Sequence, residues 1–204
     1  MIRAKGPELR SGDVLLRLHQ RGDAKAWREV RAVNRSWLEP WEGTTPEGPH
    51  PMRTYGTMLR GMQAEYAAGR MYPFAIVYRG EYVGQLTLGN VIRGSLRGAY
   101  IGYWVDHRVA GRGIMPTAVA LALDFGLGEA GLHRIEISIR PENQPSLRVV
   151  EKLHVPFEGL RQRYLHIAGA WRDHNIYVVD TETAPAGGFV ARWERERAAR
   201  DAQG

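Results

Sequence analysis

A loop that carries two glycines between a strand and a helix is the segment of this sequence best suited to chemistry. Gly102 to Val105 end a strand, Arg108 to Gly113 form the loop, and an amphipathic helix begins at Ile114. Glycine lets backbone N–H groups approach an anion closely, and the start of a helix adds unpaired donors and a favourable dipole. The pattern therefore predicts a site for a phosphate or a pyrophosphate.

Two common phosphate-binding motifs do not fit this loop. The P-loop needs Lys followed by Ser or Thr after its second glycine, whereas Ile114 and Met115 stand there. The dinucleotide-binding pattern needs a third Gly or Ala where Pro116 stands, and it opens a parallel unit, whereas this loop follows an antiparallel meander. A simple turn remains the alternative to a binding loop.

A second polar segment, Asn143-Gln144-Pro145-Ser146, begins thirty residues after Gly113 and precedes a short helix. An asparagine at this position can cap the helix, because its side chain accepts free N–H groups of the first turn. Taken alone, the segment therefore favours a structural role.

The hydrophobic spacing predicts a mixed sheet with helices. Three consecutive strands joined by short glycine-bearing turns must be antiparallel neighbours, and a helix followed by one more strand makes the sheet mixed. Residues 40–51 hold four of the eleven prolines and are predicted to form a loop. The predicted strands span 14–18, 73–78, 82–91, 99–105, 135–139, 164–167 and 171–179, and the predicted helices span 23–39, 51–68, 114–125, 145–153 and 189–200.

Length and composition narrow the class of protein. A chain of 204 residues fits one domain, which we expect over residues 1–180, followed by a linker and a charged helical tail over 181–204. The sequence has no cysteine, which excludes disulfides, thiolate metal sites and a cysteine nucleophile. The net charge of +6 comes mostly from arginine, a residue suited to anionic ligands.

Location and partners are constrained by what the sequence does not contain. No apolar run approaches the ~18–20 residues of a membrane span, and the first residues lack the apolar core of a signal peptide. We therefore expect a cytoplasmic protein without a membrane partner. The seven histidines form no metal-binding spacing, so no metal is expected. The sequence leaves the oligomeric state open.

Taken together, the two polar segments carry a family resemblance. The run Arg108-x-x-Gly111-x-Gly113 after Gly-Tyr-Trp-Val, with Asn143-x-x-Ser146, resembles the GNAT acetyltransferase superfamily. Three further motifs are similar to its RimJ/RimL branch, the ribosomal-protein N-terminal acetyltransferases. They are Trp37-Leu38-x-Pro40-Trp41, Glu158-Gly159 and Gly169-Ala170-Trp171-Arg172-Asp173-His174-x-x-Tyr177.

The resemblance runs from about Val14 to Val179 and implies both a fold and a cofactor. The fold would be a GNAT-like α/β (α+β) domain with a mixed, mostly antiparallel seven-stranded sheet, helices on both faces and a splayed central strand pair. Acetyl-CoA would lie in that opening, with its pyrophosphate on the glycine loop and its pantetheine arm along the strand before it. The implied cofactor-binding residues are Tyr103, Trp104, Val105, Arg108, Val109, Ala110, Gly111, Arg112, Gly113, Ile114, Asn143 and Ser146.

The implied reaction is direct acyl transfer from a thioester to an amine. A backbone N–H near Trp104 and Val105 would stabilise the carbonyl oxygen as it gains charge, and Ser146 would hydrogen-bond the leaving thiolate. Some RimL-like proteins place a glutamate base on the strand after the Glu-Gly pair, but this sequence has Leu165 there. An ordered water or another carboxylate, such as Glu136, could replace it. Since an α-amine has a pKa of about 7.7–8.0 and a lysine amine one of about 10.4, a weak base favours protein N-termini.

The acceptor implied by the resemblance is a protein N-terminal α-amine, with a ribosomal protein as the partner. Candidate acceptor-binding residues are Trp37, Glu39, Trp41, Tyr164, His174 and Tyr177. Two other functions stay open: acetylation of a small-molecule amine, and a non-catalytic acyl-CoA-binding module, which the leucine at 165 motivates.

Overall fold

The computed structural model describes residues 6–48 and 54–202 and contains one eight-stranded sheet in the order β1-β2-β3-β4-β5-β6-β8-β7. All neighbouring strands are antiparallel except β5 and β6. The strands are β1 (Glu8–Ser11), β2 (Val14–Leu18), β3 (Tyr72–Tyr78), β4 (Glu81–Ile92), β5 (Gly98–Val105), β6 (Arg134–Ile139), β7 (Phe157–Ile167) and β8 (Ala170–Asp180). The helices are α1 (Ala24–Val33), α2 (Arg35–Leu38), α3 (Tyr55–Ala67), α4 (Ile114–Leu127), α5 (Gln144–Lys152) and α6 (Gly188–Asp201).

The predicted mixed, mostly antiparallel sheet is confirmed, but the count of seven strands is wrong. The additional strand is β1, a four-residue edge strand of half-buried and exposed residues that forms a hairpin with β2. So short a strand carries too few apolar residues to show an alternation. The strand β7 is also longer than the predicted 164–167. A bulge between Arg161 and Leu165 shifts its register with β8, so the first part of the strand does not continue the alternation of the second part. Parts of the predicted loop over 40–51 and helix over 51–68 lie outside the described residues.

Helices pack on both faces of the sheet. Alternate side chains of a strand point to opposite faces, and in β3 Phe74 and Ile76 join the large core cluster that contains α4 and α5. Ala75, which lies between them, joins a second cluster with Val30 of α1. The helix α1 therefore covers the face opposite to α4.

The tail helix α6 is part of the main core. Phe189 and Trp193 of α6 are almost fully buried in the same cluster as α4. The carboxylate of Asp124 in α4 accepts the N–H groups of Phe189 and Val190 at 2.7 and 3.0 Å, which supplies the first turn of α6 with a cap from another helix.

The one parallel strand pair opens at its carboxyl end. The pairing of β5 with β6 runs only from Gly98 and Arg134 to Ile101 and Ile137. Beyond this point β5 stays paired with β4 as far as Val105, while β6 stays paired with β8 as far as its own end. The two central strands therefore separate, as the predicted splayed pair requires.

Candidate active site

A cavity of about 380 Å³ lies where β5 and β6 separate. Its walls come from α4 and α5 on one face of the sheet and from α1 and the segment after it on the other. A ligand in this cavity can therefore reach through the sheet. The predicted site residues that line it are Trp37, Trp41, Tyr103, Trp104, Val105, Val109, Ala110, Gly111, Gly113, Ile114, Asn143 and Ser146.

The glycine loop has the backbone conformation that anion binding needs. Gly111 and Gly113 have φ values of +83° and +79°, a left-handed region that residues with side chains rarely adopt. A Cβ on Gly111 would have no atom within 4 Å, so its surroundings are open. Within the described residues, the N–H groups of 111–113 have no hydrogen-bond partner, and the first N–H groups of α4 follow directly. These converging donors fit a pyrophosphate.

A buried polar network holds the start of this loop. The carboxylate of Asp106, only 3% exposed, accepts the backbone N–H and the guanidinium of Arg108, and also the Nδ2 of Asn34 at 3.0 Å. The Oδ1 of Asn34 in turn accepts the N–H of His107 at 2.8 Å. Burial disfavours a charged Asp106, but the Arg108 and Asn34 bonds outweigh this and hold the pKa of the carboxyl below its usual range. The Arg108 side chain therefore supports the start of the loop through its bonds to Asp106.

The tail helix supports the other end of the loop. The indole Nε1 of Trp193 donates to Thr117 Oγ1 at 2.8 Å, and this hydroxyl donates to the carbonyl oxygen of Gly113 at 2.9 Å. The ring of Trp193 would also lie 3.4 Å from a Cβ on Gly113. The position of Gly113, which precedes α4, thus depends on α6, a helix that comes after all the strands in the sequence.

Asn143 combines the two roles considered for it. Its Oδ1 accepts the N–H of Ser146 at 3.2 Å and so caps α5. Because Asn143 and Ser146 both line the cavity, the amide Nδ2 and the serine hydroxyl are available to a ligand. The hydroxyl of Tyr103 lies 3.4 Å from the carbonyl oxygen of Ser146, and burial raises the pKa of Tyr103, which keeps this hydroxyl protonated.

The acceptor-side candidates separate into two groups. Trp37 and Trp41 line the cavity together with Trp104. Trp41 is held by Arg140, whose guanidinium lies 5.2 Å from the indole centroid and whose Nη1 donates to the carbonyl oxygen of Pro40. These indoles form an aromatic wall beside the opening.

The other four acceptor candidates do not line this cavity. Glu39 is exposed in a short helical turn. Tyr164 on β7 contacts Arg161 and the ring of His174, and burial lowers the pKa of His174. Tyr177 packs against the core and the ring of Phe157. The final hairpin therefore does not bring its aromatic residues to the opening.

Glu136 also lies away from the cavity. It pairs with Tyr100 in the closed part of the β5–β6 ladder, before the strands separate. Its two carboxylate oxygens contact Arg134 at 3.1 Å and Arg161 at 3.0 Å. Both oxygens are thus engaged by guanidinium groups, and the residue does not line the cavity, so this geometry does not support Glu136 as the base. Leu165 is an exposed side chain on the edge strand β7.

The cavity wall also includes charged residues that sequence reasoning missed. Arg148 and Lys152 lie one turn apart on α5, and Arg31 and Glu42 lie on the opposite face of the sheet. The spacing of Arg148 and Lys152 after Asn143 was a usable signal, because residues four apart share a helix face. Nothing local marked Glu42, since its place depends on long-range packing. Of the predicted loop residues, Arg108 and Arg112 are exposed and do not line the cavity.

Across residues 6–48 and 54–202, no three histidine or acidic side chains come together as a metal site. In the same residues, no helix is long and apolar enough to cross a membrane.

A sheet opened at its parallel pair, with a glycine loop and a helix start beside the opening, is typical of acyltransferases of the GNAT class. Residues 13–155 match the family described as acetyltransferase (GNAT) domain, and the chain belongs to this family.

Several relatives carry names or ligands that bear on the site. Probable N-acetyltransferase YjcK of Bacillus subtilis is 30% identical over 159 residues, which are 77% of this chain and 88% of that protein. The [ribosomal protein uS5]-alanine N-acetyltransferase of Escherichia coli is 29% identical over 163 residues, covering 78% and 84%. The structure of Mycobacterium smegmatis RimJ in complex with CoA-disulfide is similar with a TM-score of 0.85 and 40% identity, covering 93% of both chains. These relatives confirm the predicted RimJ/RimL resemblance and the class of acyltransferase, and the M. smegmatis RimJ structure contains a CoA derivative.

Proposed function

We propose that this protein transfers the acetyl group of acetyl-CoA to the N-terminal α-amine of a protein, with a ribosomal protein as the acceptor, in the cytoplasm. The observation that carries the proposal is the cavity through the sheet, which has the glycine loop on one side and an aromatic wall on the other. The relative named for alanine acetylation of ribosomal protein uS5 supports this acceptor class.

Different residues around the opening would bind different parts of acetyl-CoA. Acetyl-CoA, when bound, supplies an activated thioester. The N–H groups of 111–113 and of the first turn of α4 would hold its pyrophosphate, and Arg148 and Lys152 add positive charge on the same side. Asn143 has an amide donor for the pantetheine arm. Beyond Ile101, the edge of β5 that faces the opening has no strand partner in the described chain, so its backbone can bind an extended ligand.

The chemistry places two demands on this chain near the thioester. A developing negative charge on the carbonyl oxygen needs a donor, which we assign to a backbone N–H near Trp104 and Val105. The leaving thiolate needs a hydrogen bond, which we assign to the hydroxyl of Ser146 in the cavity wall. An α-amine requires little help to become neutral near pH 8, because its pKa is about 7.7–8.0.

The test is a comparison of matched amine acceptors. The protein is incubated with acetyl-CoA and a peptide that has a free N-terminal alanine and no lysine, and the product is analysed by mass spectrometry. A second peptide has a blocked N-terminus and one lysine, and spermidine serves as the small amine. We expect acetylation of the first peptide alone.

Each other outcome supports a different function. Turnover with spermidine but not with peptides would support a small-amine acetyltransferase and overturn the proposed acceptor. Binding of acetyl-CoA in calorimetry without turnover on any acceptor would support the non-catalytic module. Absence of heat at millimolar acetyl-CoA would contradict the assignment of the loop itself.

A further inference from the structure

The cavity has an uneven distribution of charge. Among the described residues that line it, Glu42 is the single carboxylate, whereas Arg31, Arg148 and Lys152 are cations. The cations on α5 lie on the face of the sheet where the glycine loop lies, and Glu42 lies on the other face with Trp37 and Trp41. A negative charge is thus present only where the acceptor would enter.

The backbone around Glu42 is fixed by contacts between distant parts of the chain. The N–H of Glu42 donates to the carbonyl oxygen of Glu39 at 3.3 Å, and its own carbonyl oxygen accepts the N–H of Ala168 at 3.1 Å. The following residues bond the tip of the β7–β8 hairpin, with Gly43 bridging Ile167. Glu42 therefore lies where two distant segments of the chain cross, and the hydrogen bonds between them fix the backbone position from which its side chain extends.

The carboxylate itself is oriented by one guanidinium. Nη2 of Arg31 lies 2.5 Å from Oε1 of Glu42. The same guanidinium lies 5.5 Å from the ring of Trp104 and 5.9 Å from the ring of Trp27, so two aromatic faces fix it in turn. Trp104 is on the separated part of β5, which connects Glu42 to the strand along which the cofactor would bind.

We propose that Glu42 receives the acceptor's α-ammonium group and takes up its proton, with Arg31 as the positioning residue. This inference rests on the proposed function. The ammonium N–H bond breaks as an O–H bond forms on Glu42, and the proton then passes to water, to which this side chain is 41% exposed. The neutral amine stays beside the tryptophans, oriented toward the thioester. A carboxylate and aromatic faces together favour a cation, which is the form that an N-terminus has before it reacts.

The test is the pH dependence of E42Q on the free N-terminal peptide. Near pH 7 most acceptor is an ammonium ion, so loss of the carboxylate should raise KM about ten- to a hundredfold, as for hydrogen bonds to charged groups. Above pH 9 the amine is already neutral in solution, so the ratio of wild-type to E42Q kcat/KM should fall toward one. E42D should retain part of the activity at pH 7.

Controls separate this inference from a structural effect and from the proposed function. E29Q makes the same charge change on the exposed face of α1, where Glu29 only faces Lys25 at 3.9 Å, and should match the wild type. Acetyl-CoA affinity of E42Q, measured by calorimetry, should also match. A ratio that stays constant from pH 7 to 9.5, or E42Q kinetics equal to wild type, would overturn the role of Glu42. A wild-type enzyme that acetylates no peptide would instead overturn the proposed function.

Discussion

Gly111 allows a direct test of the pyrophosphate loop, because a charge can be added there without a clash. A Cβ at this position meets no atom within 4 Å, and the residue lines the cavity. Its φ of +83° strains any L side chain by about 1–2 kcal/mol, but Asn and Asp tolerate this region better than other residues. G111N and G111D therefore have similar backbone strain and nearly identical shapes, and they differ by one negative charge.

The size of the effect follows from Coulomb's law. Two unit charges about 4 Å apart interact by about 4 kcal/mol at an effective dielectric constant of 20. The loop is open to solvent on one side, so screening reduces this figure, and we expect CoA to bind G111D about 10- to 100-fold more weakly than G111N. The difference should shrink in 1 M salt, where the Debye length is about 3 Å.

Isothermal titration calorimetry with CoA gives both dissociation constants, and urea unfolding checks that the two variants are equally stable. Equal CoA affinities for stable G111D and G111N would refute the reasoning, because a carboxylate on this loop must repel a bound diphosphate. A loss of affinity that is the same in both variants would attribute the effect to backbone strain and would equally remove the electrostatic argument.

Two further predictions concern how the site is held, and a third concerns a buried histidine away from it. Trp193→Phe keeps an aromatic ring of smaller size but loses the bond to Thr117, so it should lower the free energy of unfolding by at least about 1 kcal/mol and weaken CoA binding, as urea titration and calorimetry will show. Asn34→Ala leaves Asp106 short of a donor inside the protein and should cost about 2–3 kcal/mol in the same assays. Burial lowers the pKa of His19 to about 4. Between about pH 6.5 and 4 the unfolded chain binds a proton that the folded chain does not, so stability should fall by about 3 kcal/mol as the pH drops, and His19→Phe should flatten this slope.

The parts of the site that sequence reasoning located are those with a local signal. The glycines at 111 and 113 are required by the backbone of one turn, and Asn143 and Ser146 lie within one helical turn of each other, so neighbouring residues suffice to mark them. On the acceptor side, a short local motif marked Trp37 and Trp41, but nothing local marked Glu42. Glu42 reaches the cavity because its segment crosses a hairpin more than a hundred residues later, at Ala168.

Errors in the predicted fold have the same physical origin. The alternation that predicts a strand is lost where β7 bulges, since Arg163 takes a left-handed conformation and its N–H bonds Asp173 at 2.7 Å and not the strand ladder. The sequence predicts a charged helical tail without indicating what it contacts, and the structure buries Phe189 and Trp193 on one face of it. Two apolar residues four apart are a weak pattern in sequence, but they are sufficient when a complementary surface exists on α4.

The separation of β5 from β6 allows two ligands of opposite charge to be bound in separate surroundings, which a closed sheet would not allow. A cofactor with several negative charges is best held beside cations and N–H donors, whereas a cationic acceptor is best held by a carboxylate, and a single pocket would have these charges opposing one another. The opening places them on opposite faces, with Arg148 and Lys152 on one side and Glu42 on the other. The two cations that are unpaired within the described residues are then on the cofactor side, whereas Arg31 is paired with Glu42 on the acceptor side, and the two ligands would approach each other through the gap beside Trp104. The geometry therefore favours direct transfer between two bound ligands, without a covalent intermediate on the protein.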